Sequence, residues 1–253
     1  MATYSNNHIL FDNVVKSYSG KRVLNHFSFS IHENEFVALI GNNGSGKTTT
    51  INILCNLTPY DEGEVVILGS KVTPKYVSYK NKLGIVLSSP FLIDEFSTIE
   101  YLTFVGEFQF LNKKETEIRT RDIIKLFELE EHEAKPIKHL SSGNKMKVSL
   151  AAAMIHNPKI LILDEPFVNL DVKTIQSLTE TLRSFRGKKT VFITSHNLDL
   201  VVDLCDRFLI MEKGSLLVEI GSKENISSNE LKEKIRSHLT ASNHSIEQIN
   251  WLK

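Results

Sequence analysis

The sequence predicts an α/β fold with a mainly parallel sheet, an N-terminal antiparallel β subdomain and an inserted α-helical subdomain. Short, uniformly apolar runs at residues 36–40, 160–164 and 190–194 are typical of strands that are covered on both faces. Helix-like segments separate these runs, and strands that alternate with helices form parallel sheets. A glycine-rich loop at residues 41–49 follows the first run, and the chain is organised around it.

The N-terminal residues 8–31 carry alternating apolar side chains and are interrupted at Ser19-Gly20-Lys21, which predicts two antiparallel strands. Tyr18 lies at this interruption. Two roles are open for it: a turn aromatic that covers the edge of the core, or a ring that stacks on a nucleobase. From its position alone, the first role is favoured.

The glycine-rich loop has the sequence Gly41-Asn42-Asn43-Gly44-Ser45-Gly46-Lys47-Thr48-Thr49, which fits the G-x-x-x-x-G-K-T pattern of a P-loop. Glycine lets the backbone turn sharply and approach a ligand, and the N–H groups with the following helix N-terminus surround an anion. Lys47 would lie along the β- and γ-phosphates, and the Thr48 hydroxyl would coordinate Mg²⁺. The sequence therefore predicts a P-loop NTPase core.

Residues 91–139 differ from the rest because they show no strand pattern. A capped helix is predicted near Ser97, and an amphipathic helix is predicted over residues 113–131. This segment is rich in aromatic residues, which we expect to form mostly subdomain core, with Phe91 or Tyr101 available to line a groove for a partner helix. We predict a helical insert at about residues 91–145 within a single domain of residues 1–221.

The remaining residues, 222–253, are predicted to form a helical tail. Leu231, Ile235 and Leu239 have helical spacing in otherwise polar sequence, which indicates a surface helix. Trp251, near the end of the chain, either packs or frays.

Two carboxylates end the strand at residues 160–164. Ligands bind at the carboxyl ends of parallel strands, so Asp164 is expected to hold Mg²⁺ opposite Thr48, through a water molecule. Glu165 would orient the attacking water or accept its proton. His196 ends the next strand and is either a hydrogen-bonded structural histidine or a contact to the γ-phosphate and the water; its place beside the acids favours the second.

Together these residues resemble the ATP-binding cassette (ABC) family, in its transporter ATPase subunits, over roughly residues 9–221. Residues 41–48 resemble Walker A, 140–144 the signature, 160–165 Walker B with the catalytic glutamate and 169–171 the D-loop, while Tyr18 resembles the A-loop aromatic and His196 the switch histidine. The resemblance implies catalytic roles for Glu165 and His196, and Mg²⁺ binding by Thr48 and Asp164. It implies that ATP is bound by Tyr18, Gly41, Asn42, Asn43, Gly44, Ser45, Gly46, Lys47, Thr48, Thr49, Ser141 and Gly143.

The resemblance also implies partners. Two cassettes, as a homodimer or a heterodimer with another ABC subunit, would form a head-to-tail dimer that holds ATP between one Walker A and the other signature. Transmembrane permease subunits would dock near the helical insert. The chain would then be cytoplasmic, peripheral at the inner face of the membrane, and would couple ATP hydrolysis to transport, with export as the expected direction.

The chain departs from the family pattern at two places. Ser88 stands where the family usually has Gln or Glu, and the signature is Leu-Ser-Ser-Gly-Asn in place of Leu-Ser-Gly-Gly-Gln. Ser141 and Gly143 keep the phosphate-facing hydroxyl and the flexible backbone, but Ser142 adds a Cβ and Asn144 is one methylene shorter. The departures leave open the rate and symmetry of hydrolysis.

The composition limits the alternatives. Lys plus Arg and Asp plus Glu are balanced at 30 each, which gives no electrostatic reason to bind nucleic acid. No run approaches the ~20 apolar residues of a membrane span, no signal peptide is expected, and the two cysteines fit a reducing compartment.

Two other functions stay open: a soluble ABC ATPase acting on ribosomes or DNA, and a regulatory subunit that binds ATP but hydrolyses it weakly.

Overall fold

Strands of the computed structural model form two sheets within the described residues, 7–75, 77–221 and 228–240. The antiparallel sheet contains β1 (Asn7–Tyr18), β2 (Lys21–His32), β4 (Glu62–Ile67) and β5 (Ser70–Lys71); the larger sheet contains β3 (Phe36–Ile40), β6 (Leu83–Val86), β7 (Ile160–Asp164), β8 (Thr190–Ser195), β9 (Arg207–Glu212) and β10 (Ser215–Gly221). Their orders are β2-β1-β4-β5 and β10-β9-β3-β8-β7-β6. Only β10 is antiparallel to its neighbour in the larger sheet. The predicted fold class is confirmed.

The helices of the described residues are α1 (Lys47–Leu54), α2 (Thr98–Phe108), α3 (Lys113–Leu126), α4 (Ser142–Met154), α5 (Val172–Arg183), α6 (Leu198–Val201) and α7 (Ser228–Thr240). Short 3₁₀ turns occur at Ser78–Lys82, Glu130–His132 and Ile137–His139. Helices α2 and α3 separate β6 from α4 and β7 along the chain. Ser97 starts α2 through a capping box, in which Glu100 Oε2 accepts from the Ser97 N–H at 2.7 Å.

Two apolar clusters cover the two faces of the larger sheet. Alternate residues of β3 belong to different clusters. Val37 and Leu39 pack in the cluster under the antiparallel sheet and α1, whereas Ala38 and Ile40 pack in the cluster under α4 and α5. Every residue of β3, β7 and β8 is buried. This explains why these strands appear in the sequence as continuous apolar runs without alternation.

The topology brings four strand ends together. The P-loop follows β3, and His196 follows β8. Asp164 is the last residue of β7 and Glu165 comes directly after it, while Ser88 lies two residues beyond β6. These four strands are neighbours in the sheet and run parallel. Their carboxyl ends therefore form one continuous edge, where α/β proteins bind ligands.

Several local predictions are wrong. The short polar segment at residues 140–144, whose composition predicts a loop, contains a helix start: α4 begins at Ser142, and the Ser141 hydroxyl accepts from the Asn144 N–H at 3.2 Å. Helix α3 ends at Leu126, before a residue in left-handed conformation, Glu128, with φ of 54°. The segment at residues 71–81, whose polar composition predicts a loop, contains the end of β5 and most of a 3₁₀ turn.

The tail helix is more than a surface helix. In α7, Leu231 is 5% exposed and Ile235 is fully buried in the cluster under α4 and α5. Nothing is described for the side chain of Leu239, and Trp251 lies outside the described residues. One face of α7 is thus part of the core.

The aromatic residues of the insert are mostly exposed, which contradicts the expected core role. Phe91 is 91% exposed and Phe110 is 96% exposed, while Phe104 and Phe108 stack on each other at the surface with centroids 6.2 Å apart. Among the residues described, no helix is long and apolar enough to cross a bilayer.

Candidate active site

The P-loop connects β3 to α1 and has the backbone that glycine permits. Gly44 and Gly46 have φ of 78° and 119°, where a side chain would be strained. A Cβ on Gly46 would lie 2.8 Å from the Met211 side chain and 2.9 Å from that of Leu24, so packing also requires glycine there. Around Gly44 the space is open, which leaves the loop accessible to a ligand.

Lys47 is 7% exposed and folds back over its own loop. Its ammonium donates to the Gly41 carbonyl at 2.7 Å and lies 3.7 Å from Glu165 Oε1. The Ser45 hydroxyl nearby is buried and has no hydrogen-bond partner among the described residues. Leaving a buried hydroxyl without a hydrogen-bond partner typically costs ~1–3 kcal/mol of folding free energy, so a ligand that accepts from Ser45 would recover it. The loop therefore offers an anion both the Lys47 ammonium and a hydroxyl donor. The residues fit a bound triphosphate.

Asp164 and Glu165 are arranged by one side chain of the neighbouring strand. The Thr194 hydroxyl donates to Asp164 Oδ1 at 2.6 Å and accepts from the Glu165 N–H at 3.1 Å. Glu165 has a φ of 49°, a left-handed conformation that is uncommon outside glycine and typical of functional sites. The turn separates the two consecutive carboxylates, so that they can serve different roles.

Oxygen donors suited to Mg²⁺ lie in the same pocket as the P-loop. Thr48, Ser88 and Asp164 all line it, together with Lys47 and Glu165. Hydroxyl and carboxylate oxygens, with water, are the ligands that Mg²⁺ prefers. The donor set therefore fits this metal.

His196 contacts the predicted base directly. Its Nδ1 lies 2.9 Å from Glu165 Oε2, and its backbone N–H donates to the same oxygen at 3.2 Å. The histidine side chain is 51% exposed, whereas that of Glu165 is 16% exposed. His196 thus holds one carboxylate oxygen of Glu165 and still faces outward.

Not all predicted residues meet in this pocket. It is lined by Asn43, Gly44, Ser45, Gly46, Lys47, Thr48, Thr49, Ser88, Asp164 and Glu165, with Val23. Gly41, Asn42 and His196 are not among the lining residues: the Gly41 carbonyl accepts from Lys47, Asn42 is exposed, and His196 reaches the pocket only through Glu165. Tyr18, Ser141 and Gly143 lie outside it: Tyr18 at the end of β1, and the other two at the start of α4, where a Cβ on Gly143 would lie 2.8 Å from Thr174 Oγ1.

Two supports of the site were missed by sequence reasoning. Thr194 pairs in register with Asp164, so the strand alignment could have identified it. The turn between β9 and β10 supports the P-loop, because the Gly214 N–H donates to the Ser45 carbonyl at 2.8 Å. No local signal in the sequence indicates that contact, since the two segments are far apart along the chain.

Comparisons with known proteins point to one family. The family model described as "ABC transporter" matches residues 24–168. Among curated relatives, the linearmycin resistance ATP-binding protein of Bacillus subtilis (strain 168) is 32% identical over 86% of this chain and 70% of its own length. The SkfA peptide export ATP-binding protein of the same strain is 32% identical over 82% of this chain and 87% of its own length.

An import protein and a solved structure are also similar. The spermidine/putrescine import ATP-binding protein of Clostridium novyi (strain NT) is 30% identical over 94% of this chain and 68% of its own length. A dimeric, post-hydrolysis ATP-binding cassette bound to ADP and Pi superposes with a TM-score of 0.77 at 27% identity, covering 84% of this chain and 98% of the other.

Proposed function

The chain belongs to the ABC transporter family as an ATP-binding, ATP-hydrolysing subunit, and from this premise we propose that it couples ATP-driven closure of a cassette dimer to export by separate membrane subunits. One observation carries the catalytic part of the proposal. Lys47, Thr48, Asp164 and Glu165 line a single pocket at the carboxyl edge of the sheet. The competing role on ribosomes or DNA has no support from the balanced charge of the chain.

Each side chain has a separate task in the proposed mechanism. The P-loop N–H groups and Lys47 bind the β- and γ-phosphates. Thr48 and Asp164, with Ser88 alongside, would hold Mg²⁺, which when bound neutralises charge on these phosphates. Glu165 accepts the proton of the attacking water, and His196 fixes Glu165 and faces the γ-phosphate.

A second cassette completes the site in this proposal. Ser141 and Gly143 lie at the start of α4, outside the pocket that contains Lys47. A head-to-tail partner, either a second copy or another ABC subunit, would bring its signature residues to the phosphates. Tyr18, which also lies outside the pocket, would stack on the base.

A groove beside the insert is the proposed contact with permease subunits. Pro90, Phe91, Tyr101 and Val105 line it, and the Tyr101 hydroxyl donates to the Phe91 carbonyl at 3.1 Å. Phe91 is almost fully exposed, as expected for a residue that a partner covers. We also propose that the chain lies in the cytoplasm, peripheral at the inner face of the membrane, and that residues 1–221 form one ATPase domain with its insert at 91–145, followed by a tail at 222–253 that includes α7.

Export is proposed over import because of the named relatives. The SkfA peptide relative is an exporter by name, and a resistance protein fits outward transport, whereas the spermidine/putrescine relative is an importer. Transport by membrane vesicles of known orientation tests the direction. Accumulation inside inverted vesicles supports export, and ATP-driven depletion from them refutes it.

The experiment for the docking groove is co-purification with a multi-helix membrane protein. Phe91→Ala should reduce recovery of that protein, and Phe108→Ala is a matched control, because Phe108 is 71% exposed and lies outside the groove. Equal recovery with both variants would exclude Phe91 from the contact.

A regulatory subunit with weak hydrolysis is the second candidate function. Ser88 in the pocket and the signature residues Ser142 and Asn144 favour it. The Ser142→Gly, Asn144→Gln double variant tests it: faster ATP turnover supports a weakened site, and unchanged or slower turnover means that these residues belong to a competent one.

A further inference from the structure

Lys16 is a buried cation beside the aromatic ring of Tyr18. Its Nζ lies 5.3 Å from the ring centroid, over the ring. The lysine is only 7% exposed, whereas Tyr18 is 43% exposed. A lysine is rarely buried this far without a partner, so the arrangement needs an explanation.

Asp61 supplies that partner and also holds the backbone in front of Tyr18. Its Oδ1 accepts from Lys16 Nζ at 2.8 Å, and its Oδ2 accepts from the Ser17 N–H at 2.7 Å. The hydrogen bond from Lys16 and then that from Ser17 lower the pKa of Asp61. Asp61 is itself anchored to β1, because its own N–H donates to the Val15 carbonyl at 2.9 Å. One carboxylate thus fixes the two residues that precede the ring.

The end of β1 determines where the ring points. Lys16 and Tyr18 are two residues apart on β1, and although the register of β1 against β2 shifts next to Lys16, the Lys16 ammonium and the Tyr18 ring meet on the same side of the strand. Directly afterwards the chain turns through Ser19 and Gly20, with φ of 48° and 80°. The ammonium therefore covers one part of the ring, while a large part of the side chain stays open to solvent.

We infer that Lys16, held by Asp61, is a positioning residue for the nucleobase: it fixes the Tyr18 ring so that the exposed part receives a purine. This inference rests on the proposed ATP site and deepens it by naming what forms the base platform. A ring that is fixed beforehand loses less conformational freedom when a ligand stacks on it. The cation also draws π-electron density from the ring, which favours stacking of an electron-rich purine.

A purely structural role would give a different result. If the Lys16–Asp61 pair only joins β1 to the loop before β4, its loss lowers stability but does not distinguish ligands with a base from ligands without one. A cation acting at long range on phosphates would weaken both kinds of ligand alike. Comparison of MgATP with magnesium tripolyphosphate separates these roles.

The experiment measures both affinities by isothermal titration calorimetry for the full chain and its variants. Lys16→Met and Asp61→Asn should each weaken MgATP binding roughly two- to tenfold and leave tripolyphosphate binding unchanged, since a cation–π contact is modest in strength. Lys16→Arg should restore most of the affinity for ATP. Lys71→Met is the matched control, because Lys71 lies in the same sheet on β5, which is not a neighbour of β1, and its ammonium lies 3.0 Å from Glu64 Oε1.

Tyr18→Ala separates failure of this inference from failure of the ATP site. If Tyr18→Ala selectively weakens ATP binding but Lys16→Met and Asp61→Asn do not, only the positioning role is overturned. If Tyr18→Ala has no selective effect, the proposed base contact fails and the positioning role fails with it. Equal losses for both ligands in the Lys16 variant would also overturn the inference. Tripolyphosphate binding reports in each case that the P-loop is folded.

Discussion

Replacement of Glu165 by glutamine tests the proposed base with little change in shape. In the structure, Glu165 Oε2 accepts from the His196 backbone N–H and lies 2.9 Å from His196 Nδ1, while Oε1 lies 3.7 Å from the Lys47 ammonium. Glutamine keeps one acceptor oxygen for these contacts, so the pocket and its affinity for MgATP should be retained. It cannot take up a proton from water, and it also removes the negative charge beside Lys47, so MgATP affinity is measured as a separate readout.

General-base catalysis by a positioned side chain contributes ~10²–10⁴-fold, so Glu165→Gln should lower the rate of ATP hydrolysis by that factor. This corresponds to ~2.7–5.4 kcal/mol of transition-state stabilisation, at 1.36 kcal/mol per tenfold. The assay is single-turnover phosphate release, with MgATP affinity measured in parallel. ATP-dependent dimers should accumulate in the variant, as seen by light scattering.

The matched control is Glu180→Gln, which changes an exposed carboxylate on α5 outside the pocket and should hydrolyse ATP at the wild-type rate. Hydrolysis by Glu165→Gln within tenfold of the wild-type rate would refute the base assignment. A large loss of MgATP affinity would instead show that the carboxylate charge is needed for the pocket itself.

Three further predictions concern the phosphates, the departure at Ser88 and acid stability. Lys47→Ala should weaken MgATP binding and abolish turnover, and wild-type activity would contradict the phosphate assignment. Ser88→Gln should raise turnover by up to roughly 10²–10³-fold, the rate contribution of one oriented polar group; an unchanged rate would mean that serine is adapted to this pocket. The hydrogen bond from Lys232 lowers the pKa of Asp199, so its stabilisation is present above the unfolded pKa of ~3.9 and is lost as pH falls through the folded value. Asp199→Asn should therefore lower the free energy of unfolding by at most about 1 kcal/mol at pH 7 and have no effect near pH 2, as measured by urea denaturation; an equal loss at both pH values would contradict the ion-pair explanation.

Local patterns predicted those parts of the molecule whose structure is determined locally. The run before Gly41, the loop and the helix after it follow one another without a break, so the P-loop was identified with its flanks. The capping box at Ser97 and the carboxylates that end β7 were likewise found within a few residues. The position of Asp164 and Glu165 at the edge of the sheet followed from the assumption of a parallel sheet alone.

Some predictions failed at local helix boundaries, but those about burial and about the supports of the site depend on contacts between distant segments. Burial of Ile235 requires α7 to pack on a core built by helices far earlier in the chain. The role of Thr194 depends on the register of β8 against β7. Burial of Lys16 depends on Asp61, 45 positions away. Periodicity and propensity carry no information about such pairings, whereas the fold supplies them.

The structure also divides the two departures from the family pattern into different kinds. Ser88 lines the pocket together with Thr48 and Asp164, and a glutamine at this position would extend further into the pocket toward the proposed Mg²⁺ site. Ser142, by contrast, uses the atom that glycine lacks: its hydroxyl donates to the Asn169 carbonyl in the D-loop at 3.3 Å. Asn169 has a left-handed φ of 59° and lies four residues after Glu165, so this contact ties the signature end of α4 to the segment that leaves the base. In the proposed head-to-tail dimer, the signature serves the partner's ATP, and this bond would make it follow movements of the chain's own catalytic strand. The hydroxyl of Ser142 therefore has a contact of its own within the chain, and the double variant at Ser142 and Asn144 would remove that contact together with the extra Cβ.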